Sequence, residues 1–206
     1  MKIICIGRNY ADHAKELNNA VPSRPVAFMK PPTALLIEGK PFYHPDFSND
    51  IHHEIELVLK VAKNGRHVQP EFASTYYEEV GLGIDFTARD VQSELKAKGH
   101  PWEIAKGFDH SAVVGDFVHI DEVDTNNIEF YLNKNDERVQ HGFTKDLLFP
   151  FDDIIVYVSQ FFRLQRGDLI FTGTPAGVSR VAIGDRLEGF LVTKEGAKQL
   201  LECEVK

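Results

Sequence analysis

The chain has little of what would mark a secreted, membrane or nucleic-acid-binding protein. Two cysteines in 206 residues, Cys5 and Cys203 near opposite ends, exclude a disulfide framework and fit a reducing, cytoplasmic setting. No apolar run approaches the roughly 20 residues needed to cross a bilayer. The opening MKIICIGRNY breaks at Gly7-Arg8-Asn9, short of the apolar core of a signal peptide. Positive charge is scarce: 23 Lys and Arg face 31 Asp and Glu, a formal net charge of −8, which argues against a nucleic-acid partner. TGTPAGV, residues 172–178, is Gly-rich but lacks the GK[ST] of a phosphate-binding loop. No repeat, low-complexity linker or domain boundary interrupts residues 1–206.

What the chain does have is phenylalanine, 15 of them, and short strand-like runs. Residues 2–6, 26–30, 34–39, 51–62, 79–86 and the GDLIF before the 172–178 loop read as extended. NIEFYLN and ERVQHGF read as a hairpin turning at NKND, and RLEGFLVT and QLLECEV as another around Glu195-Gly196. Helices are predicted over 11–18, 70–77 and 149–162, the last with an apolar stripe of Ile154, Val158, Phe161 and Phe162. A further helix follows Thr87, capped by a Thr87–Asp90 box and ended by Gly99. Strands dominate without regular alternation with helices, so the expected fold class is α+β, mostly β.

The run IHHEIELVLKV, 51–61, places Ile55, Leu57 and Leu59 on one strand face and Glu54 and Glu56 on the other, about 7 Å apart at Cα. A solvated outer face explains such a pair; so does a cation held between them. Asp85 interrupts an apolar strand at its end. With the capping roles assigned to Thr87 and Asp90, it is available to join the pair. Three carboxylates supply half of an octahedral oxygen site for Mg²⁺ or Mn²⁺. Arg89 and Gln92, three apart near a helix start, suit a carboxylate ligand or a solvated face. Lys106 lies in an apolar stretch, suited to an enolate or simply exposed. Thr174 sits in a loop able to hold an anion or merely to turn. His13 and Glu16 have the spacing of an imidazole oriented by a carboxylate, or of a surface pair.

In order along the chain, GRNYADHAKEL, VAFMKP, HHEIELVLKVAKNGR, IDFTARDVQSELKAKGHPWEIAKGFD and GDLIFTGTPAGV closely resemble the fumarylacetoacetate hydrolase family, in its small acylpyruvate hydrolase and oxaloacetate decarboxylase branch. The resemblance implies a mixed β-roll with a few short helices, one catalytic domain over 1–206, a lid around 8–20, and a homodimer. It implies a divalent ion on Glu54, Glu56 and Asp85, usually Mg²⁺, with Mn²⁺ or Ca²⁺ as substitutes. It makes His13, Glu16 and Lys106 catalytic, and puts Arg8, Lys30, Arg89, Gln92 and Thr174 around the substrate. Departures are Ser179, where Gly is common, and a loose match over 119–148.

The implied activity is metal-dependent cleavage of a C–C bond in small 2-oxo acids: hydrolysis of acylpyruvates such as fumarylpyruvate or acetylpyruvate, decarboxylation of oxaloacetate, or both. The alternative is isomerisation or decarboxylation of a 2-hydroxyhepta-2,4-diene-1,7-dioate type of substrate. A non-catalytic metal-binding subunit is the rival from another class, against which the set His13, Glu16 and Lys106 argues, since binding alone does not require it.

Overall fold

The protein is represented by a computed structural model that describes residues 1–17, 20–37 and 39–206. Its strands are β1 (Ile3–Gly7), β2 (Val26–Lys30), β3 (Ile51–His53), β4 (Ile55–Val61), β5 (Tyr77–Asp85), β6 (Thr87–Ala88), β7 (Ala112–His119), β8 (Glu129–Lys134), β9 (Glu137–Phe143), β10 (Leu169–Phe171), β11 (Ser179–Arg180), β12 (Arg186–Thr193) and β13 (Gly196–Glu204). Its helices are α1 (Ala11–Glu16), α2 (Arg89–Lys98), α3 (Glu103–Lys106) and α4 (Phe151–Phe161). Strand predominates, as the sequence pattern indicates, and the helices are short.

The strands form three sheets, in the orders β2-β1-β10-β4-β5-β7, β11-β3-β6 and β13-β12-β8-β9. All pairings are antiparallel except β1 with β10. The middle of the first sheet and the whole of the second repeat the same order. The chain leaves the large sheet after β10, enters it before β4, and leaves it after β5. On the far side of each crossing it makes β11, β3 and β6. Three adjacent strands therefore switch sheets at one seam. There Asp85 N–H donates to the Glu54 carbonyl at 2.9 Å and Phe86 N–H to the Ser111 carbonyl at 2.8 Å.

β4 is buried on both sides. Ile55, Leu57, Leu59 and Val61 face one apolar cluster that runs from Ile4 to Val205. Val58 faces a second cluster with Ile3, Cys5 and Phe171. Gly83, opposite Glu56 on β5, leaves room for the Phe171 ring, since a Cβ there would come within 2.6 Å of it. The β8–β9 hairpin turns on Asn135 and Asp136, with φ of 53° and 68°, the left-handed pair that Asn and Asp tolerate best among side-chain-bearing residues.

Several expectations need correction. Residues 51–62 are not one strand: Glu54 breaks it, because the chain changes sheets there. The run 34–39 is not a strand. Pro32–Ala34 is a 3-10 turn, only Leu35 bridges to Ala112, and residue 38 lies outside the described residues. The predicted helix over 70–77 is a 3-10 helix, Pro70–Tyr76. The helix from 11 ends at Glu16; residue 18 is outside the described residues. The Thr87–Asp90 capping box does not form. Ala88 is the N-cap, Thr87 donates to the Asp85 carbonyl at 3.3 Å, and Asp90 accepts from the Ser48 hydroxyl at 2.6 Å. Gly99 does end α2, with φ 66°. On α4 the buried stripe is Phe151, Ile154, Ile155 and Val158, while Phe161 is exposed.

Candidate metal centre and active site

The seam explains why acids stand where a core is otherwise apolar. Glu54 lies at the break between β3 and β4, Glu56 at the start of β4 and Asp85 at the end of β5, so all three stand at the crossing. One carboxylate oxygen from each lies within 4.8 Å of the other two, and all three residues are buried, Asp85 completely. Charge of that density is tolerated only with compensation. Lys106 supplies most of it: its Nζ donates to Glu54 Oε2 and Asp85 Oδ2, both at 2.8 Å. Arg89 donates through Nη2 to Glu54 Oε1. The Lys30 ammonium stands 2.8 Å from Asp85 Oδ1 as an ion pair, although that oxygen receives no well-aligned hydrogen bond.

Among the described residues Glu56 has no ion-pair partner, and it accepts the Gly173 N–H at 2.6 Å. Burial, followed by the charges of Asp85 and Glu54, pushes its carboxyl well above the ordinary range. Burial would raise Glu54 too, but Lys106 and Arg89 more than offset it, and Glu54 lies below its usual value. Burial would lower Lys106; Asp85 and Glu54 reverse that and raise it. The triad is thus short of positive charge on the Glu56 side, and its donors are hard oxygens. The residues fit a divalent cation of the Mg²⁺ or Mn²⁺ kind.

Glu54, Glu56, Asp85 and Lys106 line a cavity together with Arg8, His13, Phe28, Arg89, Gln92, Lys96, Trp102 and Thr174. His13 projects from α1 with 5% exposure, and its Nδ1 lies 3.2 Å from Glu16 Oε2. Glu16 Oε1 also accepts from the Gly177 N–H at 3.0 Å, which ties α1 to the loop after β10. Burial lowers the His13 imidazole, and Glu54 and Glu16 work against that shift. Arg89 Nη1 donates to Gln92 Oε1 at 2.7 Å. Lys106 is buried at the end of α3, so the exposed alternative for it is excluded.

Two of the candidates take positions the sequence does not indicate. Lys30 stands behind the cavity, where its Nζ donates to the Lys106 carbonyl and to Ser111 Oγ at 2.9 Å, so it braces Lys106 and Asp85. The Thr174 hydroxyl donates to the Ile55 carbonyl and accepts from Gln140 Nε2, both at 2.8 Å, so its proton is committed to the backbone.

Gln140, His53 and Asn9 also support the site. Gln140 on β9 accepts from Ile55 N–H at 3.0 Å and faces His53 Nδ1 at 2.8 Å, while its Nε2 also donates to the Pro175 carbonyl at 2.9 Å. His53 Nε2 lies 2.8 Å from the Ser179 hydroxyl, and burial lowers that imidazole to about 4. Asn9 donates to the Thr172 carbonyl at 2.8 Å and accepts from Phe149 N–H at 2.8 Å, fixing the base of α1 to the seam. Gly173 crosses beneath Asn9 with φ 106°, and a Cβ there would meet the Asn9 Cβ at 2.6 Å. A fully buried Asn beside a Gly-rich loop leaves no signal in spacing alone.

A cluster of hard oxygen donors braced by lysines and an arginine, beside a helix carrying a His–Glu pair, is a site that could hold a divalent metal. The chain belongs to the fumarylacetoacetate hydrolase family: the family model described as "Fumarylacetoacetate (FAA) hydrolase C-terminal" matches residues 2–201. The bovine protein named oxaloacetate tautomerase FAHD1, mitochondrial, is 43% identical over 187 residues, covering 90% of this chain and 85% of that one. The mitochondrial oxaloacetate decarboxylase of Dictyostelium discoideum is 42% identical over 185 residues, covering 89% and 85%. Fumarylpyruvate hydrolase from Pseudomonas aeruginosa, solved in complex with Mn²⁺ and pyruvate, superposes with a TM-score of 0.91 at 33% identity, covering all of this chain and 89% of that one.

Proposed function

We propose that this chain is a divalent-metal-dependent enzyme that breaks the C3–C4 bond of small 2-oxo acids, hydrolysing acylpyruvates and decarboxylating oxaloacetate. The observation that carries the reading is that the carboxylate triad and His13 line one cavity, with Glu16 behind His13 at 3.2 Å from its Nδ1. Glu54, Glu56 and Asp85 would hold a divalent ion, Mg²⁺ in the first instance, which would supply Lewis acidity toward the 2-oxo acid end of the substrate. Arg89, steadied by Gln92, offers its guanidinium to that carboxylate. His13, oriented by Glu16, takes a proton from water, and the resulting hydroxide adds to the C4 carbonyl of an acylpyruvate. The C3–C4 bond then breaks, its electron pair passes into the enolate of pyruvate, and C3 is protonated. The Lys106 ammonium stabilises that enolate charge. With oxaloacetate, carbon dioxide leaves from the same position and no water attacks.

A second reading, keto–enol tautomerisation of oxaloacetate, is favoured by the name of the bovine relative. It needs a proton exchanged between C3 and the 2-oxo oxygen, breaks no C–C bond, and uses the same groups. The reading includes a homodimer, a cytoplasmic setting, and no nucleic-acid or membrane partner. Cys5 and Cys203 are free and buried, and among the described residues no helix is long and apolar enough to span a bilayer. Steady-state assays of acetylpyruvate, fumarylpyruvate and oxaloacetate with Mg²⁺, with Mn²⁺ and after chelation test the activity. Absence of metal-stimulated turnover above the spontaneous rate on all three refutes it.

A further inference from the structure

Arg89 has one donor that nothing takes. Its Nη1 donates to Gln92 and its Nη2 to Glu54, but its Nε–H is buried and has no partner among the described residues. An acceptor is stranded in the same way: His52 Nδ1 is buried and bare.

Strand pairing brings these two atoms together. β3 and β6 pair antiparallel, Ile51 against Ala88 and His52 against Thr87. The next step of that register sets Asp50 against Arg89, and there the Arg89 N–H donates to the Asp50 carbonyl at 2.8 Å. Residues opposite one another on an antiparallel pair share a face, and so do residues two apart along one strand. Asp50, His52 and Arg89 therefore stand on the same face. The Arg89 side chain starts opposite Asp50 and ends on Glu54, so its middle, where Nε lies, crosses His52.

The far side of the imidazole fixes its tautomer. His52 Nε2 lies 3.0 Å from Asp50 Oδ1. A carboxylate accepts, so Nε2 carries the proton and Nδ1 of the neutral ring offers a lone pair. A second proton, on Nδ1, would set donor against donor beside a guanidinium that is always charged. Stranded donor and stranded acceptor are thus complementary, and each loses its hydration without a return while they stay apart.

We propose that Asp50 and His52 are a positioning pair for Arg89, in which His52 Nδ1 accepts the Arg89 Nε–H when the guanidinium turns from Glu54 to the substrate's carboxylate. The inference rests on the proposed function and adds to it how Arg89 is aimed. A carboxylate ligand competes with Glu54 for Nη2. The bond to His52 then holds the inner edge of the guanidinium, Gln92 holds Nη1, and the outer edge faces the cavity.

Two substitutions at one position separate this role from the bond to Asp50. The amide of a glutamine reaches where Nε2 stands, so His52→Gln keeps the link to Asp50 and offers nothing at Nδ1. The shorter His52→Asn places its Oδ1 where Nδ1 stands and gives up Asp50. Both side chains are neutral and no bulkier than imidazole, so the half-buried site keeps its packing. His52→Gln is expected to raise the KM for oxaloacetate about 10-fold, the scale of one charged hydrogen bond, with kcat changed by less than about threefold. In calorimetric titration it should weaken pyruvate binding to the Mn²⁺-loaded protein by the same factor. His52→Asn should bring both quantities back to within about threefold of wild type. A role confined to the Asp50 bond requires the opposite order, with His52→Gln near wild type and His52→Asn impaired; that order, or equal effects of the two, overturns the positioning pair and leaves the function standing. Wild type that binds pyruvate but turns over no 2-oxo acid overturns the function, and the pyruvate affinities then decide the positioning by themselves. Wild type that does neither overturns both.

Discussion

Replacing Lys106 by Met removes the cation that joins two of the three buried carboxylates. In the metal-free protein Glu54 keeps Arg89 and Asp85 keeps Lys30, but each loses a hydrogen-bonded partner at 2.8 Å. Breaking a buried ion pair by deleting one partner costs about 3–5 kcal/mol, because the charge left behind stays desolvated. At about 2–4 °C per kcal/mol for a chain of this size, the melting temperature in chelator should fall by about 6–20 °C. The loss depends on pH in a defined direction. Glu54 is held below its ordinary value of 4.5, so its stabilisation is present above that value and disappears as the pH falls through the lowered one. Without Lys106 the lowering weakens. The gap between wild type and variant is therefore widest near neutral pH and closes on acidification.

Metal should reverse the deficit. Mn²⁺ supplies the positive charge that Lys106 provided, so it should raise the melting temperature of Lys106→Met by more than that of wild type. Activity does not return with it. The enolate loses its ammonium, and kcat should fall by about 10²-fold or more on every substrate, the scale of one lost oxyanion donor. Thermal melts in chelator and in Mn²⁺, paired with kcat on oxaloacetate and acetylpyruvate, check both halves. A metal-free variant as stable as wild type at neutral pH would refute the charge balance proposed for the triad.

Glu54→Gln, Glu56→Gln and Asp85→Asn should each weaken Mn²⁺ binding in calorimetric titration, and unchanged affinity in all three removes the cage. Glu56→Gln should in addition stabilise the metal-free protein, since that carboxyl is crowded by two like charges. His13→Ala should lower acylpyruvate hydrolysis by about 10²-fold or more, the worth of a general base, and oxaloacetate decarboxylation by less; Glu16→Gln should follow more mildly. An equal fall in both reactions argues against water activation. Gln140→Leu leaves the Ile55 N–H and Pro175 carbonyl bare at about 1–3 kcal/mol each, and a melting temperature equal to wild type would show that the network does not hold the seam.

How much of this was legible in the sequence follows from what each signal reports. The period-2 pattern of Ile55, Leu57 and Leu59 and the apolar run ending at Asp85 locate β4 and β5 because burial decides those positions. The same pattern cannot show that the strand breaks at Glu54. A change of sheet keeps the residues extended on both sides and alters only their hydrogen-bond partners, which are distant in sequence: Ser179 and Arg180 for β3, Leu169 to Phe171 for β4. The capping box failed for a related reason. Thr87 and Asp90 have the right spacing, but Ser48 and Asn49 compete for Asp90 and β6 claims Thr87. Lys30 was legible as a site residue only through resemblance, since its partners Ser111 and Asp85 lie more than fifty positions away.

The seam also connects the acids to the loop that follows β10. Three strands crossing between sheets at one level release backbone groups that ladders would otherwise satisfy, and each must find a partner. The Ile55 N–H and carbonyl are taken by Gln140 and Thr174, and the Leu57 carbonyl by Thr172. Those same contacts bring the Gly173 N–H to Glu56 and the Gly177 N–H to Glu16. One backbone problem thus fixes the third carboxylate of the triad and the partner of His13 together. A substitution that relaxes the seam should disturb metal binding and water activation in the same variant, although it touches neither the carboxylates nor the imidazole.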